Sequence, residues 1–116
     1  MKDEAGTQPM RWVNVSERAA FRPEKMAKIS LFDEPQMFVD VYCLEAGQQQ
    51  APHAHEGAAK VYYVLEGEGV FLVGTEEQRL GPGHAVMTPA GEPHGVRNEG
   101  PGRLQVLVAM APNPNH

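Results

Sequence analysis

Outside residues 17–26, no window of twelve residues in this 116-residue chain keeps a helical hydrophobic period. The chain instead carries short runs rich in Val, Tyr, Phe and Leu: AKISLF (27–32), MFVDVYCL (37–44), KVYYVLEG (60–67), GVFLVG (69–74) and RLQVLVAM (103–110). Turn formers bound each of them, as DEP, EAG, EG, GPG and NEGPG. RWVNV (11–15) is a further strand candidate, and ERAAFRPEKM (17–26) has room for one helical turn before Pro23 interrupts it. VYYVLEGEGVFLVG reads as a hairpin reversing at Glu66–Gly69. HAVMTPAG and PHGVRNEG read as a second, with Pro93 at the bend. About eight such strands must bury their apolar faces on one another, which a sandwich or barrel achieves while limiting exposed edges. The fold class is therefore all-β.

The length suits a single domain with one core. Residues 1–10 read as a loose polar lead-in, residues 11–112 as the folded domain, and the tail APNPNH as a frayed terminus. Hydrophobic residues make up 41% and charged residues 22%, an ordinary soluble composition. A net charge of −5 without a Lys/Arg cluster argues against nucleic acid, whose binding rests on neutralising phosphates. The apolar runs Val61–Leu65 and Val106–Met110 are too short to span a bilayer. The opening MKDEAGTQPM has no apolar signal-peptide core, so cytoplasmic residence is the default expectation. Cys43 stands alone, which excludes an internal disulfide and suits a core role.

The chemistry gathers at PHAHEGAAK (52–60). In an extended segment residues i and i+2 share a face, about 6.5–7 Å apart. His53 and His55 can then lean together on one divalent ion, although an HxH pair alone is a weak signal. Glu56, as the next residue, points the other way. His84 sits where a turn is expected and reads as a surface residue, and His116 as a solvated terminal one. Trp12 and Met87 read as packing residues. MFVDVYCL is apolar on both parities, as expected of a strand covered on both faces by the N-terminal segment or a partner subunit.

Gly47 lies six residues before His53, giving G-x5-H-x-H, and GHAVMTPAGEPHGVRN gives G-x5-P-x-G-x2-H-x3-N through Gly83, Pro89, Gly91, His94 and Asn98. These two patterns resemble the paired motifs of the cupin superfamily, over roughly residues 37–110. The resemblance implies a double-stranded β-helix, or jelly-roll barrel, with a metal centre inside its mouth. In metal-binding cupins the ligands are two histidines and a glutamate of the first motif and one histidine of the second. Carried over by position, the metal ligands here are His53, His55 and His94, with the glycines and Pro89 as turn formers. The glutamate is missing: its place falls on Ala59 or Lys60.

An ammonium close to a metal cation meets a repulsion of several kcal/mol even at an effective dielectric near 20. Lys60 can swing out of the pocket. It can sit inside, neutral or paired with an anion. Or the metal is gone and the pocket binds organic anions. Three neutral imidazoles with vacant positions suit Fe, Zn, Ni, Cu or Mn, and leave a positive charge that attracts an anionic ligand. The resemblance thus implies a metal-dependent dioxygenase or isomerase acting on a small anionic substrate, with Lys60 and Tyr62 as its catalytic or steering residues. The alternative is a non-catalytic module that binds or stores a small acid or sugar. Tyr62 and Val64 share the parity of Lys60 and should line the interior with it. Strands 11–15 and 27–32 offer faces for a second subunit, so a homodimer is expected.

Overall fold

Strict alternation of buried and half-buried residues marks the strand that organises the rest. In the computed structural model, which describes residues 8–116, that strand is the last of nine. Its residues Leu104, Val106, Val108 and Met110 turn inward and are almost wholly buried. The strands are β1 (Ala27–Glu34), β2 (Met37–Leu44), β3 (Gln49–His53), β4 (Ala59–Glu66), β5 (Gly69–Val73), β6 (Glu76–Leu80), β7 (Ala85–Thr88), β8 (His94–Arg97) and β9 (Leu104–Ala111). They form two antiparallel sheets, ordered β1-β2-β9-β4-β7 and β3-β8-β5-β6. The core lies between them, built from Phe38, Tyr42, Leu44, Tyr62, Val64, Phe71, Val96 and the inward row of β9.

From β2 to β9 the chain changes sheet at every connection except β5–β6. Both hairpins expected from the sequence are therefore corrected. β4 does not pair with β5, and β7 does not pair with β8. The glycine-rich reversal is real, but it is a corner between sheets. Gly67 adopts φ +80°, and a Cβ there would collide with the Arg103 carbonyl oxygen. β4 finds a longer partner in β9, whose alternation matches its own from Ala59↔Ala111 to Val64↔Val106.

Residues 11–15 form no strand. The short helix α1 (Val15–Arg18) starts there instead, because the Asn14 side chain accepts from the Glu17 backbone N–H at 3.1 Å and caps it. The helical turn thus lies N-terminal to most of 17–26. Val15, Ala19 and Phe21 then pack on Val41, Cys43 and Ala27, covering the second face of β2. The N-terminal segment accounts for that doubly apolar strand. Trp12 and Met87, expected to pack, are 74% and 59% exposed. Residues 1–7, most of the expected lead-in, lie outside the described residues. Among the described residues no helix is long and apolar enough to cross a membrane.

Candidate metal centre

β3 and β8 run antiparallel, and a bulge between Gln50 and His53 brings His53 directly opposite His94. The bulge fits because residue 95 is glycine. A Cβ there would stand 2.7 Å from the Gln50 carbonyl oxygen and 3.3 Å from Pro52. His55 follows two residues beyond β3, and its carbonyl accepts from the Gly91 N–H at 2.9 Å. That bond ties the first motif to the turn of the second. Gly47 and Asn98 join the motifs at the other end: the Gly47 N–H donates to the Asn98 carbonyl at 2.8 Å. The buried Asn98 amide donates to the carbonyls of Leu44 and Gly102, a structural role.

The three imidazoles meet. Ring centroids are 4.4 Å apart for His53 and His94, 4.8 Å for His53 and His55, and 5.8 Å for His55 and His94. Their ligand atoms all lie within 4.8 Å of one another, an arrangement that can hold a metal ion. Around one ion at about 2.1 Å, nitrogen ligands stand roughly 3.0–3.4 Å apart, so the rings need to close by about 1.8 Å at most.

Hydrogen bonds set the tautomers of two of these rings. His53 Nδ1 lies 3.1 Å from the Ala51 carbonyl and His94 Nδ1 lies 3.1 Å from the Glu92 carbonyl. A carbonyl oxygen only accepts, so each Nδ1 carries the proton and each Nε2 presents a bare lone pair. His94 Nε2 is fully buried and has no partner among the described residues. An unpaired buried acceptor costs about 1–3 kcal/mol, and a bound cation would remove that cost. The residues present therefore fit a metal ion. Burial holds His94 down to about 4, against the opposing pull of the Glu92 carbonyl. Burial also lowers His53 and His55, with Lys60 adding to the effect. These shifts favour the neutral form of all three imidazoles, the state a metal requires.

Lys60 does not swing out. It is 2% exposed, and its Nζ lies 5.2 Å and 5.1 Å from the ring centroids of Tyr42 and Tyr62. Burial, with Lys28 nearby, pulls it down to about 7, while Asp40 opposes. No ion pair holds it among the described residues. Tyr62 is fully buried, and its hydroxyl donates to Gln50 Oε1 at 2.8 Å. Gln50 in turn donates to the Tyr42 hydroxyl at 3.3 Å. Tyr62 and Val64 do share the inward face with Lys60.

A cavity of about 140 Å³ adjoins the cluster, lined by His53, His55, Lys60, Lys28, Asp40 and Tyr42 among others. Asp40 is half-buried here, and burial raises it to about 6 against the pull of Lys28. Glu56 is exposed and outside the histidine cluster, as its parity implies. His84 is also exposed, with Nδ1 donating to the Gly81 carbonyl at 3.0 Å. Cys43 is buried in the second core cluster.

Several residues of the site were not singled out from the sequence. Gly95 carried a signal, since a glycine beside a candidate ligand implies close backbone approach. Gln50 and Lys28 carried none, because neither belongs to a motif. The final residues were expected to fray, yet Pro114 and Asn115 line the cavity and His116 Nε2 lies 3.0 Å from Asp33 Oδ1.

Comparison with known proteins agrees with this architecture. The chain is 50% identical to TT1209 from Thermus thermophilus, whose structure superposes with a TM-score of 0.89, covering 90% of this chain and 100% of that one. It is 29% identical to the oxalate-binding protein of Thermotoga maritima over 85 residues, 73% of this chain and 69% of the relative. It is 41% identical over 58 residues to the dimethylsulfoniopropionate lyase DddQ of Ruegeria pomeroyi, 49% of this chain but only 28% of that enzyme. The family model described as the cupin domain matches residues 40–110, and the chain belongs to the cupin family.

Proposed function

We propose that this cupin holds a divalent transition metal on His53, His55 and His94 and uses the centre to bind a small organic acid, with Lys60 as its counter-charge. The observation that carries this reading is the pairing of one orphaned buried nitrogen, His94 Nε2, with one buried lysine that forms no ion pair among the described residues. When bound, an ion would supply a Lewis-acidic point for a carboxylate or enolate oxygen. The protein supplies the rest. Tyr42 and Tyr62 hold the Lys60 ammonium beside the cavity, and Gln50 links the two phenols. The three histidines are neutral ligands and leave the metal charge uncompensated among themselves, so an organic anion offsets it. A volume near 140 Å³ suits an acid of a few carbon atoms. The name of the oxalate-binding relative supports that chemistry.

One test addresses both parts. Protein purified without a histidine tag should carry close to one metal per chain, and the cobalt-loaded form should change its visible spectrum on adding oxalate. Absence of metal under metal-replete growth would reject the centre. Cobalt uptake with no response to oxalate, malonate or 2-oxo acids would reject the anion.

Catalysis is the second reading, favoured by Lys60 near 7 and Asp40 near 6 on one cavity. Two groups titrating close to neutrality beside a Lewis acid suit proton transfer α to a carboxylate, as in an isomerase or lyase. The iron-dependent dioxygenase is its redox variant, and oxygen uptake with Fe(II) and a panel of diketones separates the two.

The homodimer belongs with this reading. Met10 and Trp12 lie 82% and 74% exposed beside β1, the open edge of its sheet. Light scattering should give twice the chain mass, and a monomer would remove the expectation.

A further inference from the structure

Asn113 is 4% exposed, although it lies beyond the last strand. Its side-chain amide donates to Asp33 Oδ1 at 2.6 Å and to the Glu34 carbonyl at 3.0 Å. Its backbone N–H donates to the Pro35 carbonyl at 3.1 Å. Its own Oδ1 accepts from the Asn115 N–H at 2.9 Å, closing an Asx turn around Pro114. His116 Nε2 reaches the same Asp33 carboxylate. Residues 113–116 are therefore latched, through Asn113 and His116, to the end of β1 and to Pro35 in the turn after it.

The latch has a consequence at the site. Pro114 and Asn115, the two residues held between its anchor points, line the cavity shared with His53, His55 and Lys60. Proline fixes φ, and the Asx turn fixes the residue after it, so this wall has a defined position. Apart from His55, which follows β3, the other lining residues come from strands of the barrel and cannot move without disturbing the sheet. The tail can.

We propose that residues 112–116 form a strap that walls the anion cavity, and that Asn113 is the positioning residue that decides how large an anion reaches the histidines and Lys60. The inference rests on the anion-binding reading for its ligand, but not for the strap itself. It gives the site a size limit independent of the metal ligands. It also predicts that ligands longer than the cavity are excluded by Pro114 and Asn115 and not by charge.

The experiment uses the full-length chain with Asn113→Ala and, separately, Asp33→Ala. Asp33 is exposed, so its variant tests the latch even if Asn113→Ala fails to fold. In metal-free protein, carbethoxylation of His53 and His55 by diethyl pyrocarbonate is followed by mass spectrometry. The exposed His84, outside the cavity, is the internal reference. Release of the strap should raise both rates about tenfold relative to His84, as expected when a latch of several hydrogen bonds opens locally. In cobalt-loaded protein the same variants should shift preference from oxalate towards succinate and phthalate.

Unchanged rates at His53 and His55 in a folded variant would overturn the strap, whatever the metal does. Faster modification with unchanged anion preference would overturn Asn113 as the size-setting residue. A wild type that takes up no cobalt would defeat the metal-centre reading, and the modification rates would still decide the strap.

Discussion

Alanine at position 94 is expected to lower metal affinity by about 10³-fold, read by competition with a chromophoric zinc chelator. A partner that merely orients a ligand is worth about 10–100-fold, and removing a direct ligand should exceed that. His94 is the most buried of the three, and the Glu92 carbonyl fixes its tautomer with Nε2 free for the ion. Loss of fold is not the cause to be feared. In metal-free protein the substitution removes an unpaired buried acceptor, worth about 1–3 kcal/mol, while opening a cavity that costs a comparable amount. The two oppose, so the metal-free melting temperature should move little. Zinc should raise the melting temperature of the wild type by mass action and leave the variant unmoved. The His84→Ala control should bind as the wild type does. Equal retention in wild type and His94→Ala would show that the histidine cluster is not the metal centre.

That cluster was the most legible part of the chain. The two-residue spacing of His53 and His55 offered only a weak pair, and it was the resemblance of the motif around His94 to the second cupin motif that joined all three; the cross-strand pairing of His53 with His94 appears only in the structure. The inward parity of Lys60, Tyr62 and Val64 was legible from the two-residue period of strands, and burial agrees. Pairing was not. Glu66–Gly69 has the composition of a hairpin turn, and nothing local separates a hairpin from a corner between sheets. The choice depends on β9, nearly forty residues on, whose alternation offers β4 a longer partner. The same limit explains β3 and β6. Their sequences, QQAPH and EEQRL, are polar and poor in strand formers, and only neighbouring strands hold them extended. Asn14 shows the reverse error. Its capping signal was local and present, but RWVNV was read for its apolar residues alone. The strap could not be read from APNPNH because its anchors, Asp33 to Pro35, lie some eighty residues away.

Lys60→Met should stabilise the metal-free protein and weaken its hold on anions, and the pH dependence identifies the cause. The folded state holds Lys60 near 7, against 10.5 for the free side chain. The folded state therefore binds its proton less tightly than the unfolded state does. The destabilisation is fully present below pH 7 and disappears as pH rises from 7 to 10.5. At 1.36 kcal/mol per unit, it amounts to roughly 4 kcal/mol at neutral pH. Methionine fills a similar volume without the charge, but forgoes two cation–π contacts worth about 0.5–1 kcal/mol each. A net gain of about 2–3 kcal/mol remains, which urea unfolding with a chelator present resolves easily. The gain should be complete at pH 6 and nearly gone at pH 10. A gain independent of pH would mean that packing alone is responsible and that Lys60 is not held charged against its environment. The functional cost has the opposite sign: without the ammonium, the cobalt-loaded variant should bind oxalate at least tenfold more weakly, the loss of one charge-assisted hydrogen bond. On the proposed anion-binding reading, a lysine is kept at this expense, at the position where the family's glutamate ligand would fall, because it would attract an anion.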